Sequence, residues 1–137
     1  MKGRLLFFMI PASVALLSMS SFRQNQKFDL KASIERGKDV YTAYCLSCHM
    51  DTGLGLENVY PPLAGSDYLM ADKKRSILQV INGATGEMTV NKKVYNTPMI
   101  GFDLTDEQTS DVLNYIRNTW KNKGAAIMPA DVKAVRK

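Results

Sequence analysis

The side chains best suited to chemistry stand within five positions, Cys45-Leu46-Ser47-Cys48-His49, and they include both cysteines of the chain and its one histidine. Thiolate sulfur and imidazole nitrogen are strong donors to soft and borderline metals. On a helix, positions i, i+3 and i+4 fall on a single face, so Cys45, Cys48 and His49 can address one flat partner together. Cys-x-x-Cys-His is the attachment pattern of a c-type haem. In that chemistry two thiols form thioethers at one edge of the macrocycle and the imidazole reaches the iron at its centre. Two other uses fit less well. A dithiol redox pair expects a strand before the motif, whereas a helical pattern precedes this one. A structural zinc ion wants four ligands, and this chain offers three with no second Cys/His cluster. One covalent haem c is therefore the expected cofactor.

A protein-supplied sixth ligand would have to be a methionine, because the chain has no second histidine. Of the eight methionines, Met1, Met9 and Met19 belong to an apparent leader. Met50 adjoins His49 and cannot cross to the other haem face, Met128 lies in the tail, and Met70 beside Tyr68 and Leu69 reads as core filling. Met88 and Met99 remain.

The elements that must position these groups are legible from periodicity. Ser33 is a suitable N-cap for a helix starting near Ile34. Ile34, Gly37, Val40, Tyr41, Tyr44 and Cys45 form its buried face. Glycine inside a helix costs about 1 kcal/mol relative to alanine, so Gly37 implies a second backbone crossing close by. Thr105-Asp106-Glu107-Gln108 is a capping box. It opens a late helix with Val112, Leu113, Tyr115, Ile116 and Trp120 inward, Lys121 and Lys123 at its negative end and Gly124 as its stop. Between these, Asp51 to Gly55 is a turn-rich loop leading to the stiff pair Pro61-Pro62 and to Leu63. Asp72 caps a helix over about Lys73 to Asn82, with Ile77, Leu78 and Ile81 inward and Gly83 and Gly86 ending it. Thr89-Val90 and Val94-Tyr95 around Asn91-Lys92 predict a small β-hairpin.

Gly37, Tyr41, Cys45-x-x-Cys48-His49 and the late helix with Val112 and Tyr115 resemble class I cytochromes c, over the chain from about Ser33 to Lys123. The resemblance implies an all-α cytochrome c fold of three to four helices around one covalent haem, the hairpin being a small insertion. It implies that the first and last helices cross at the glycine and an aromatic. It also implies that the Pro61 carbonyl holds the second ring nitrogen of His49, that Leu63 packs on the haem, and that Met99 is the axial methionine. The family usually writes Met-Pro, whereas Thr97-Pro98-Met99-Ile100 places the proline before the ligand. Met88 or an open iron position are the alternatives. Val59 to Leu69, Thr89 to Asn96 and the tail are similar to cytochrome c domains fused to some copper nitrite reductases, and to related periplasmic cytochromes.

The remaining sequence bounds organisation and partners. The length allows one domain. Lys2 and Arg4, the apolar run from Leu5 to Leu17 and Ser18-Met19-Ser20 predict a cleaved signal peptide over residues 1–20. An uncleaved anchor is the alternative, although the run is short of the roughly twenty residues that a span needs. A flexible lead-in over 21–32, a domain over 33–123 and a basic tail over 124–137 follow. In the tail, Pro129 either opens a short docked helix with Val132 and Val135 or the segment stays solvated. Of the formal charge of +5, the leader and the residues beyond Trp120 supply more than the whole, so the body is slightly acidic. That is not the field of a nucleic-acid binder. The expected function is a monomeric, periplasmic one-electron carrier and not an enzyme. It would pass electrons from a respiratory donor to a terminal reductase or oxidase. The alternatives are a dedicated haem subunit of a larger respiratory enzyme such as a nitrite reductase, and an open-iron ligand-binding or sensor protein.

Overall fold

The computed structural model describes residues 27–136; the predicted signal peptide and the first part of the lead-in lie outside them. Helix α1 spans Leu30–Tyr44. It starts earlier than Ser33 suggests, because the Asp29 carboxylate accepts hydrogen bonds from the amides of Lys31 and Ala32 and takes the capping role. Ser33 is instead fully buried one turn inside. Its hydroxyl donates to Asp111 at 2.6 Å, on the helix α5, Asp106–Arg117.

The α1–α5 crossing is the organising contact. A Cβ built on Gly37 would lie 2.0 Å from the Asp111 carbonyl oxygen and 2.9 Å from the Tyr115 Cβ. Only a residue without a side chain permits that approach. Beside it, Tyr41, Tyr115 and Trp120 meet in tilted and edge-on pairs with ring centres 5.3–5.7 Å apart. Arg36 forks onto the Asp111 carboxylate at 2.7 Å and 2.8 Å. That bidentate pair secures the crossing from its outer side. Tyr44 is not part of the buried face. It is 44% exposed and packs edge-on against Phe102.

After a short helix α2, Leu46–His49, a long loop leads to α3, Asp67–Ala71, and α4, Lys73–Asn82. Ser66 caps α3 through the Leu69 amide, and Asp72 caps α4 through the Arg75 amide. On α4, Ile77 and Val80 are buried, whereas Leu78 and Ile81 are half-buried. The predicted hairpin forms from β2, Met88–Val90, and β3, Lys93–Tyr95, with Met88 opposite Tyr95. Asn91 and Lys92 both have positive φ, 49° and 66°. The favoured two-residue hairpin turn requires that sign at both positions. A second antiparallel pair, β1 (Gly83–Ala84) with β4 (Met99–Ile100), sets Ala84 opposite Met99.

The capping box at Thr105 and Gln108 closes in both directions, at 3.0 and 3.1 Å. Helix α5 then stops at Arg117, before the expected Trp120 and Gly124. The Asn118 and Thr119 side chains bond back to the carbonyls of Asn114 and Tyr115, which competes with continued helix. Trp120 and Lys121 then take left-handed φ values of 51° and 69°. The tail forms α6, Pro129–Val135. Val132 and Ile127 are fully buried in the main core, and Arg136 bonds Asp106 and the Leu104 carbonyl, both at 2.7 Å. No helix of the described residues is long and apolar enough to cross a membrane.

Candidate haem site

Cys45 is the hinge on which the motif turns. Its carbonyl receives the amides of Cys48 at 3.2 Å and His49 at 2.9 Å, so one helical turn stacks the three side chains. Met50 ends that turn at φ 62°, and its carbonyl accepts the Tyr41 hydroxyl at 2.6 Å. The exit of the motif is thereby tied to the helix crossing.

His49 Nδ1 lies 3.0 Å from the Pro61 carbonyl oxygen. A carbonyl can only accept, so Nδ1 carries the proton and Nε2 carries the free lone pair. Burial holds the imidazole below its ordinary pKa, with the Pro61 bond opposing that shift in part. The ring is therefore neutral at physiological pH, as a metal donor must be. Burial pushes the Cys45 thiol up to about 11, and the neighbouring Cys48 adds to it. A nucleophilic dithiol needs the opposite shift. The two cysteines are not paired with each other in a disulfide.

Cys45, Cys48, His49, Pro61, Leu63 and Met99 all line one cavity of about 430 Å³, whose walls are mainly apolar. Met88 lines it too, so the structure brings both remaining methionines to the same space as His49. Met99 is carried on β4 by its pairing with Ala84, and the Phe102 amide fastens the following residues to the Val80 carbonyl at 2.9 Å.

Sequence reasoning passes over Tyr60, Tyr68 and Gln79, which supply polar groups to the same lining. Gln79 donates to the Tyr68 hydroxyl at 3.2 Å. The Arg75 guanidinium sits 3.7 Å from the centre of the Tyr68 ring and donates to the Tyr68 carbonyl. A cation over an aromatic face is held there by the ring's quadrupole. Arg75 and Gln79 are four apart on α4, and that spacing is the one signal that could have marked them.

The sequence model of the family described as cytochrome c matches residues 34–120. This chain belongs to the cytochrome c family. The cytochrome c carries covalent haem c, and its fold is the mainly helical one of the family with small antiparallel strand pairs. It is 31% identical over 103 residues to the cytochrome c subunit of the quinone alcohol dehydrogenase of Gluconobacter oxydans, covering 73% of this chain and 22% of that protein. It is 36% identical over 89 residues to cytochrome c-552 of Thermus thermophilus, covering 61% of this chain and 67% of that protein. To the fructose dehydrogenase cytochrome subunit of Gluconobacter japonicus it is 27% identical over 131 residues, 92% of this chain and 26% of that protein. The chain thus spans about a fifth of the length of the alcohol dehydrogenase subunit that it matches.

The donor set fits haem c. Two thiols and a neutral imidazole stand on one helical turn, beside an apolar space that also holds thioether sulfurs. When bound, the group supplies reversible one-electron exchange at iron. The chain keeps Nε2 unprotonated, holds its ring plane through Pro61, and lines the space with mainly apolar walls. Tyr44 and Ile100, 44% and 72% exposed, stand at the lining's outer edge.

Proposed function

We propose that this cytochrome c is an exported one-electron carrier in which Cys45 and Cys48 form the thioethers and His49 and Met99 are the axial ligands. The observation that carries the reading is the His49 Nδ1–Pro61 contact in a cavity that Met99 also lines. It leaves a neutral, oriented imidazole and a soft sulfur donor as the protein's offer to iron. Thioether ligation favours the reduced state relative to two nitrogen ligands and raises the potential. With both axial positions filled, the chain's work is electron transfer and not catalysis. Partners would meet it through a small, transient surface. The basic n-region and short apolar run of the first twenty residues support export to the periplasm with cleavage of the leader.

Optical spectra of the oxidised and reduced holoprotein, with Met99→Ala and Met88→Ala beside it, test this. Wild type and Met88→Ala should show the weak near-infrared band of sulfur-ligated ferric haem, and Met99→Ala should lose it. Loss in Met88→Ala instead would transfer the role to Met88. Rapid carbon monoxide binding by the reduced wild type would favour the open-iron reading.

A second reading has its own support. Relatives named as cytochrome subunits of alcohol and fructose dehydrogenases favour a haem module that accepts electrons from a dehydrogenase, more than one serving a nitrite reductase. Gentle isolation that retains a dehydrogenase in a stable complex would establish it; a lone monomer would leave the diffusing carrier.

A further inference from the structure

We infer that Asn122 is a positioning residue for the His49 side of the haem, acting through the segment Pro61 to Gly65. Asn122 lies outside the cavity lining, in the turn after α5, and is only 8% exposed. Its amide nitrogen donates to the carbonyls of Leu63 at 3.0 Å and Ile116 at 2.8 Å. Its amide oxygen accepts from the Gly65 amide at 2.9 Å. One buried side chain therefore joins the end of α5 to both sides of residue 64, spending both of its donor protons.

The segment it grips is the one whose carbonyl orients His49. Apart from the isolated bridge between Leu56 and Tyr60, the stretch from Met50 to Gly65 has no regular structure of its own. Leu54 and Leu56 are 62% and 48% exposed, so packing holds its middle weakly. What fixes it is a small set of hydrogen bonds. Leu63 and Ala64 donate to the Gly53 carbonyl at 2.7 and 2.9 Å, which folds the loop onto itself. Trp120 Nε1 donates to the Asp51 carbonyl at 2.9 Å, and its ring fills the space a side chain at Gly53 would need. Asn122 completes the grip at the far end. The turn after α5 thus clasps the loop near both its ends, and Pro61, the partner of His49, lies between them.

The consequence is electronic as well as structural. The Nδ1–H to carbonyl bond raises the donor strength of the imidazole and stabilises ferric iron. Releasing residues 63 and 65 lets the Pro61 carbonyl swing away, weakens that bond and favours the reduced state. The inference rests on His49 being the iron ligand.

The test uses holoprotein with Asn122→Ala and Asn122→Ser, and with Val132→Ala as a destabilised control distant from the loop. In the Asn122 variants the reduced-to-oxidised ratio at fixed potential should rise at least threefold, about 28 mV at 59 mV per tenfold for one electron. By nuclear magnetic resonance, solvent exchange of the His49 Nδ1 proton should speed up by about the factor to which the loop has loosened, and neither quantity should move in Val132→Ala. Equal changes in Val132→Ala, or none in the Asn122 variants, would overturn the inference. If neither Asn122 variant matures, native-state hydrogen exchange of the wild type decides. The Asn122, Gly65 and His49 Nδ1 protons should open as one unit with rising denaturant, and independent opening refutes the grip. A wild-type spectrum lacking histidine ligation would refute the ligand assignment itself; a normal one with unresponsive Asn122 variants refutes the Asn122 role alone.

Discussion

A methyl group at position 37 would stand 2.0 Å from the Asp111 carbonyl, a distance no backbone tolerates. Gly37→Ala must therefore push α1 and α5 apart, lengthening the Ser33–Asp111 and Arg36–Asp111 bonds together. We predict a loss of about 3 kcal/mol, the upper part of the range for overpacked cores, measured by denaturant unfolding of the holoprotein. Asp72 makes a different kind of prediction. The Arg75 amide, which it caps, is foremost in holding its carboxyl below the ordinary value of 3.8. A depressed native pKa means the unfolded chain binds more protons between the two values. The charge-dependent stabilisation is thus complete above the ordinary value and is lost as pH falls through the native one. Asp72→Asn keeps a capping oxygen but cannot titrate. Its melting temperature should fall below wild type at neutral pH, and the gap should close in acid.

Among the elements, legibility follows the length of the pattern. The helix over 73–82, the capping box at Thr105 and the hairpin turn at Asn91-Lys92 are each readable, because local chemistry marks them, although Asn91 and Asp67 also tie the turn from 24 residues away at 3.1 and 2.8 Å. The start of α1 is not, because Asp29 and Ser33 are both good caps, and the choice depends on Ser33 being claimed by Asp111 from 78 residues away. The end of α5 is hidden for a similar reason: helical spacing carries Trp120 onward, whereas a contact with Asp51 draws it off the helix. The two-residue strands β1 and β4 are too short to show a period at all. Within the site, Cys45, Cys48 and His49 are visible by spacing. Tyr68 is not, nor is Asn122 outside the lining, since nothing local separates them from surface polar residues; for Gln79 the four-residue spacing from Arg75 is the one local signal. The hairpin offers a test at this scale. Lys92 holds φ at 66°. That conformation costs a side-chain-bearing residue roughly 1–2 kcal/mol and costs glycine none. Lys92→Gly should stabilise the holoprotein by that roughly 1–2 kcal/mol of relieved strain, less the roughly 0.5–1 kcal/mol of extra chain entropy that glycine loses, and its melting temperature should rise accordingly.

At the scale of the whole molecule, the helix crossing and the tail make one side of the core, and the haem completes the other. The cavity of about 430 Å³ faces Leu69, Val80, Leu113 and Ile116, which are also members of the main apolar core. At about 24 cal/mol per Å³, an empty enclosed space of this size would cost on the order of 10 kcal/mol. The site opens at one edge, so the true cost is smaller, but half of it equals the lower end of ordinary domain stability, about 5 kcal/mol. The α1–α5 crossing with its Asp111 bonds can persist locally, because it does not border the cavity for most of its length. The segments carrying His49, Pro61 and Met99 cannot, because their apolar faces would have only water to meet. Cys45→Ala/Cys48→Ala protein prepared without haem should therefore retain part of its helical circular dichroism, bind a hydrophobic dye, and lack a sharp thermal transition. A cooperative melt with native near-ultraviolet dichroism would mean instead that the protein core is self-sufficient and the cavity collapses on itself when the cofactor is withheld.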